Sequence, residues 1–162
     1  MRPPPAIGQA ELGKHGQILL ICVVNKPAAL HRSRMSLNPR PTTKIALVVD
    51  DEPSVRYYHS YILKRVGFHC EAAANGEEAL QKLDHVAIDL AVVDIMMPKL
   101  NGLDLIRKIR SRPGQARLPI LVISNEPAAG EIAAISGPIG FAKKPLSPDQ
   151  VIAEVRRLMS EG

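Results

Sequence analysis

The sequence predicts an α/β fold in which a five-stranded parallel sheet is covered by helices on both faces. Three observations predict it. From Lys44 onward, apolar runs of strand length alternate five times with helical patterns, and each junction carries Gly, Pro, Asn or Asp. The runs IALVV, IDLAVV and LPILVI are nearly continuous, as strands are when helices bury both of their faces. At 162 residues and 46% apolar composition, the chain can bury the core of one ordinary domain.

Residues 1–43 stand apart. They hold Pro3, Pro4, Pro5, Pro27, Pro39 and Pro41 and little periodicity, so they read as a mostly disordered, basic leader. Met35 opens the segment MSLNPRPTTK, a short approach to the first strand, and makes an alternative translation start that N-terminal peptide mapping would test. The apolar run from Ile18 to Val24 falls well short of the roughly 20 residues a membrane span needs. Lys14 and His15 before it, with Ala28 and Ala29 after it, have the outline of a secretion signal. The seven-residue apolar core, Pro27 and the Ile21 before Cys22 speak against one.

The first strand is expected at 45–49, followed by a helix at 54–66 starting near Ser54. Weaker strand patterns fit 68–73 and 139–143; stronger ones fit 88–93 and 118–123. Further helices fit 76–84, with Asn75 as its start, then 102–111, 128–136 and 148–159, the last opened by Ser147 and Pro148. In that last helix Val151, Ile152, Val155 and Leu158 recur at helical spacing and turn Arg156 and Arg157 to solvent.

Charge excludes less than it first suggests. The formal +5 sits wholly in the leader, where six Lys or Arg oppose Glu11; from residue 44 onward fifteen basic residues balance fifteen acidic ones. The domain therefore carries no electrostatic footprint for nucleic acid, and the basic leader reads as a solvated tail. Cys22 and Cys70 form no CxxC or Cys/His spacing, which points to a reduced, cytoplasmic protein without a zinc or disulfide framework.

The chemistry lies at the ends of strands. Asp50 and Asp51 follow the first strand in VVDDEPSVR, and Asp94 follows the third in LAVVDIMMPKLNG. In an open parallel sheet the carboxyl ends of the strands share one rim, and ligands bind there where the strand order reverses. Singly, each aspartate has the ordinary alternative of turn former or helix cap, and Glu52 that of a solvated first-turn charge. Ser124 and Lys144, at the ends of the fourth and fifth strands, would singly be surface residues. Together they put three acids, a hydroxyl and an ammonium on one rim. Three carboxylates at close quarters repel, and a hard divalent cation with oxygen ligands relieves them, so the cluster predicts Mg²⁺.

With VVDDEPSVR, DIMMPKLNGLDLI and the KKP that follows GF, the segment 44–162 resembles a response-regulator receiver domain. The resemblance implies a flavodoxin-like sheet of order 2-1-3-4-5. It implies Mg²⁺ held by Asp50, Asp51, Asp94 and the backbone carbonyl of Met96, with Asp94 as phosphoacceptor. Ser124 and Lys144 match the family's hydroxyl and lysine, and Phe141 its switch aromatic, although an ordinary core aromatic fits that position equally. Gly102 and Asn101 fit a tight turn after Pro98.

Function follows as an expectation. A receiver of this kind takes a phosphoryl group from a sensor histidine kinase or a histidine phosphotransfer protein and catalyses only its own phosphorylation and dephosphorylation. Only Ser160, Glu161 and Gly162 follow the last helix, so a stand-alone regulator is expected, signalling by docking to a downstream protein and dimerising or not on phosphorylation. The chain departs from the pattern at Asn125, where a small residue is usual, and in a short Ser124 to Lys144 spacing whose Pro127, Gly130, Gly137 and Pro138 weaken the fourth helix. Those departures support a rival reading, a phosphorylation-independent interaction module. A Mg²⁺-dependent phosphatase with an aspartyl-phosphate intermediate is disfavoured, because the acceptor follows the third strand and no DxD motif is present. A GxxxxGK[ST] nucleotide loop is also lacking.

Overall fold

Five strands and five helices alternate along the chain in a computed structural model that describes residues 43–125 and 129–160. The leader and the proposed start at Met35 lie outside the described residues, apart from Thr43. The strands are β1 (Ile45–Val49), β2 (His69–Ala73), β3 (Leu90–Val93), β4 (Ile120–Ser124) and β5 (Ile139–Lys143). The helices are α1 (Pro53–Arg65), α2 (Gly76–His85), α3 (Gly102–Arg110), α4 (Ala129–Ala133) and α5 (Pro148–Ser160). All strand pairs are parallel and the order is β2-β1-β3-β4-β5, so the doubly wound sheet expected from sequence is the one observed.

Strand periodicity explains the continuous apolar runs. Leu47, Val49, Ala91, Val93, Ile120 and Val122 point to one face, where they pack with Ala79 and Leu83 of α2 and Leu105, Ile106 and Ile109 of α3. Ala46, Val48, Leu90, Val92, Leu121 and Ile123 point to the other, against Ile62 and Leu63 of α1 and Val151, Val155 and Leu158 of α5. Each fully buried Leu or Ile contributes about 1.5–3 kcal/mol. The central strands β1, β3 and β4 therefore dominate the core, while the edge strand β2 leaves His69 and Ala72 exposed.

Boundaries shift for local reasons. α1 begins at Pro53, whose ring pre-sets the helical φ and whose missing N–H costs nothing at that position; Glu52, not Ser54, is the capping residue. Asn75 caps α2 as expected, its side chain accepting from the amides of Glu77 and Glu78. Asn101 does the same for α3 through Asp104. β3 starts at Leu90, just after Asp89, whose amide donates to Ile45 O and whose carboxylate accepts from the Ile45 amide, both at 2.8 Å. Among the described residues α4 spans Ala129–Ala133 and so ends before the expected 136, and Gly137 beyond it takes a φ of +97°, a left-handed turn open to glycine.

One surface pair gives a pH signature. Lys82 donates to Glu71 Oε2 at 2.9 Å, and this hydrogen bond holds the Glu71 carboxyl below its ordinary value. A depressed carboxyl contributes stability above its unfolded-state value and loses it as pH falls through the folded-state value. Glu71→Gln is expected to cost about 0.5 kcal/mol at neutral pH. In urea unfolding the deficit should shrink as the buffer is taken down through the carboxylate range; a constant deficit would mean that the pair's charge contributes nothing.

Candidate functional site

Register places the acids. Val49 of β1 pairs with Val93 of β3, so the next residues, Asp50 and Asp94, emerge side by side from adjacent strands. Their backbones are tied in: the Asp94 amide donates to Val49 O at 2.9 Å and the Asp50 amide to Ala73 O at 3.2 Å. Asp51 turns outward. Carboxylate oxygens of Asp50, Asp51 and Asp94 lie within 4.8 Å of one another, with Asp50 and Asp94 buried and Asp51 exposed.

Lys144 bridges the cluster. Its Nζ donates to Asp50 Oδ2 at 2.8 Å and to Asp94 Oδ2 at 2.6 Å. Burial alone would lower its pKa, but the hydrogen bonds to Asp50 and Asp94 prevail and hold the ammonium above its ordinary value. Ser124 pairs with Lys143 in the sheet, and the Lys144 amide donates to Ser124 O at 3.1 Å, so the residue after the strand reaches the acids while Lys143 stays exposed. Ser124 is fully buried at the end of β4.

The remaining expected residues fall close by. Met96 follows in the β3–α3 loop, its side chain exposed and its amide donating to Asp94 Oδ1 at 3.3 Å. Phe141 pairs with Val122, two residues back from Ser124 along the sheet, and packs half-buried against the core on that face. Gly102 holds the loop tight: a Cβ there would stand 2.1 Å from Asp94 O. Asn125 is exposed beside Ser124, and Glu52 is exposed as well.

Two residues that sequence reasoning passed over also belong here. Arg56 Nη1 donates to Asp50 O at 2.6 Å, bracing the turn that carries both early aspartates. His59, one turn further along α1, is buried, and burial pushes its pKa below the ordinary 6.5 even though Asp50 and Asp94 pull it up. The signal for His59 was present in VRYYHSYIL, where Val55, His59, Ile62 and Leu63 recur at helical spacing; Arg56 gave none.

Three carboxylates against one ammonium leave a net negative rim of hard oxygen donors. That donor set fits a hard divalent cation such as Mg²⁺ and suits no soft metal.

Comparison with known proteins agrees with this geometry. Residues 46–156 match the response regulator receiver domain family, and the chain belongs to it. It is 32% identical over 128 residues to the gliding motility regulatory protein of Myxococcus xanthus, covering 77% of this chain and 16% of that one. It is 34% identical over 116 residues to the alkaline phosphatase synthesis transcriptional regulatory protein PhoP of Bacillus subtilis, covering 72% and 48%. The chain thus spans half or less of the length of these curated relatives. Among solved structures, it resembles the chemotaxis response regulator CheY4 of Vibrio cholerae with a TM-score of 0.67 at 29% identity, covering 72% of this chain and 99% of that one. The response regulator TrrA of Thermotoga maritima, in complex with Mg²⁺ and BeF, gives a TM-score of 0.65 at 29% identity, with coverages of 72% and 99%. Among the described residues, no helix is long and apolar enough to cross a membrane.

Proposed function

We propose that the chain is a phosphoacceptor switch of a bacterial two-component or phosphorelay system, working in the cytoplasm, in which Asp94 takes the phosphoryl group. The observation that carries this reading is the Lys144 ammonium joined to Asp50 and Asp94 at once, at the carboxyl ends of β1, β3 and β5. In that arrangement Lys144 offsets part of the negative charge that would otherwise repel an incoming phosphoryl group from Asp94. An Asp94 oxygen adds to phosphorus in line, the bond from phosphorus to the donor's imidazole nitrogen breaks, and an acyl phosphate remains. The donor is a sensor histidine kinase or a histidine phosphotransfer protein. Mg²⁺, held by Asp50, Asp51, Asp94 and the Met96 carbonyl, would supply charge cancellation on the phosphoryl oxygens. Lys144 supplies the rest.

The readout follows from Ser124. Its hydroxyl donates to a phosphoryl oxygen on Asp94 and draws the loop after β4 inward, and Phe141 moves into the space released. A downstream protein reads the altered face by docking. The balance of fifteen basic and fifteen acidic residues beyond the leader favours a protein target over a phosphate backbone. On this reading the chain catalyses only its own phosphorylation and dephosphorylation.

Intact-mass spectrometry after incubation with Mg²⁺ and phosphoramidate is the test. A gain of about 80 Da that disappears with EDTA is expected. Failure to gain mass, together with failure to bind beryllofluoride, would sink the switch. One observation favours a second reading, a phosphorylation-independent interaction module: α4 ends at Ala133, before the expected 136. Under that reading a protein partner would bind wild type and Asp94→Ala equally, with or without phosphodonor.

A further inference from the structure

At the amino end of β1, far from the acids, a groove of roughly 530 Å³ runs between the end of α1 and α5. Its floor is apolar, made by Phe68, Ile152 and Met159 with the flanking valines, and its edges carry Lys44, Arg65 and Arg156. Among the described residues no carboxylate lines it. Among the described residues these three cations make no ion pair; Arg65 lies 6.0 Å from the centre of the Tyr61 ring, and the neighbouring Arg157 is held by Glu154. Three exposed cations around an apolar trough form a surface with unbalanced like charge. It is relieved by an occupant of the opposite sign.

We propose that this groove docks an acidic segment of a partner protein, one whose apolar side chains at helical spacing enter the trough while its carboxylates meet Lys44, Arg65 and Arg156. Charge selects this occupant. The chain's own leader carries six basic residues against one acidic, the wrong sign for the site. A membrane surface meets a concave trough poorly, whereas apolar anchors on one helix face fill it as a knob fills a hole. β1 separates the groove from Asp50 by its five residues, about 16 Å of strand. Docking here is therefore a constitutive tether and does not depend on the phosphoryl state.

The test is site-specific photo-crosslinking in cells of the source organism, with p-benzoylphenylalanine replacing Met159 in the full chain and the crosslinked peptide sequenced by mass spectrometry. The expected result is an adduct to a net-negative peptide with apolar residues three and four apart. It should form equally in an Asp94→Ala background and fall at least tenfold in R65E/R156E, whose fold is checked by circular dichroism. Both arginines are exposed, so charge reversal should leave the core intact. No adduct, an adduct to a lipid, to the chain's own leader or to a second copy, or one indifferent to charge reversal or altered by Asp94→Ala, overturns the proposal. Loss of phosphoryl capture leaves it standing, so the two readings fail separately.

Discussion

Asp94→Ala should gain no mass from phosphoramidate under conditions where the wild-type chain gains about 80 Da, and it should remain folded. The first half follows from position: Asp94 is the member of the cluster that both faces Asp50 across the β1–β3 pair and receives Lys144 at 2.6 Å. The second half follows from charge. Three carboxylates face one ammonium, so deleting one acid removes repulsion, and Lys144 keeps Asp50 at 2.8 Å. The backbone bond from residue 94 to Val49 O is untouched by the substitution. Urea unfolding without metal should therefore stay within about 1 kcal/mol of wild type, because relief of the repulsion offsets the two hydrogen bonds lost from Lys144 and the Met96 amide. Mg²⁺ affinity by titration calorimetry should fall, because one of three carboxylate donors is gone. An adduct that persists in Asp94→Ala would move the acceptor elsewhere, with Asp50 and Asp51 the other carboxylates of the cluster; an unfolded variant would remove the charge argument.

How much of this was legible in the sequence depends on whether a feature is local. The fold was legible because the rhythm of strand and helix is written in residue spacing, and because IALVV and LPILVI announce burial on both faces. The start of β3 was not: Asp89 bonds to Ile45, forty-four positions away, through both its amide and its carboxylate, and no apolar count marks where the strand then opens. The acids were legible because each directly follows a strand and parallel strands end on one rim. What spacing could not decide was which of Lys143 and Lys144 reaches them. That choice is made by the β4–β5 register, which pairs Lys143 with Ser124 and leaves its side chain exposed, while Lys144, whose amide still donates to Ser124 O, turns its ammonium to the acids. Arg56 escaped for a related reason: its reach to the Asp50 carbonyl depends on how α1 is rotated over β1. The same holds for Tyr58, whose hydroxyl donates to Leu146 O at 3.1 Å and ties α1 to the loop beyond Lys144.

Lys144→Met is expected to have the largest effect on stability and to make that stability depend on Mg²⁺. Methionine keeps most of the aliphatic stem and removes the charge. Lys144 is the cation bonded to Oδ2 of both Asp50 and Asp94, whose side chains are 3% and 9% exposed. Their other oxygens accept from the Glu52 and Met96 amides, which orient them but do not neutralise them. Removing one partner from a buried ion pair typically costs about 3–5 kcal/mol because the other charge is stranded. Here the lysine side chain is 21% exposed and the rim is open to water, which reduces the expected loss to about 2–3 kcal/mol. A divalent cation binding the folded state offsets that loss by mass action, by about 2.7 kcal/mol at a hundredfold excess over Kd. Urea midpoints with and without Mg²⁺ should therefore differ more for Lys144→Met than for wild type. Capture of phosphoryl from phosphoramidate should slow on the order of a hundredfold, the usual consequence of losing one preorganised donor to developing charge. The two readouts test different states. A variant slow in capture but indifferent to Mg²⁺ in stability would place the ammonium's role in the transition state alone. A variant unchanged in both would mean that the hydrogen bonds at 2.6 and 2.8 Å neutralise nothing, and the switch would lose the observation on which it rests.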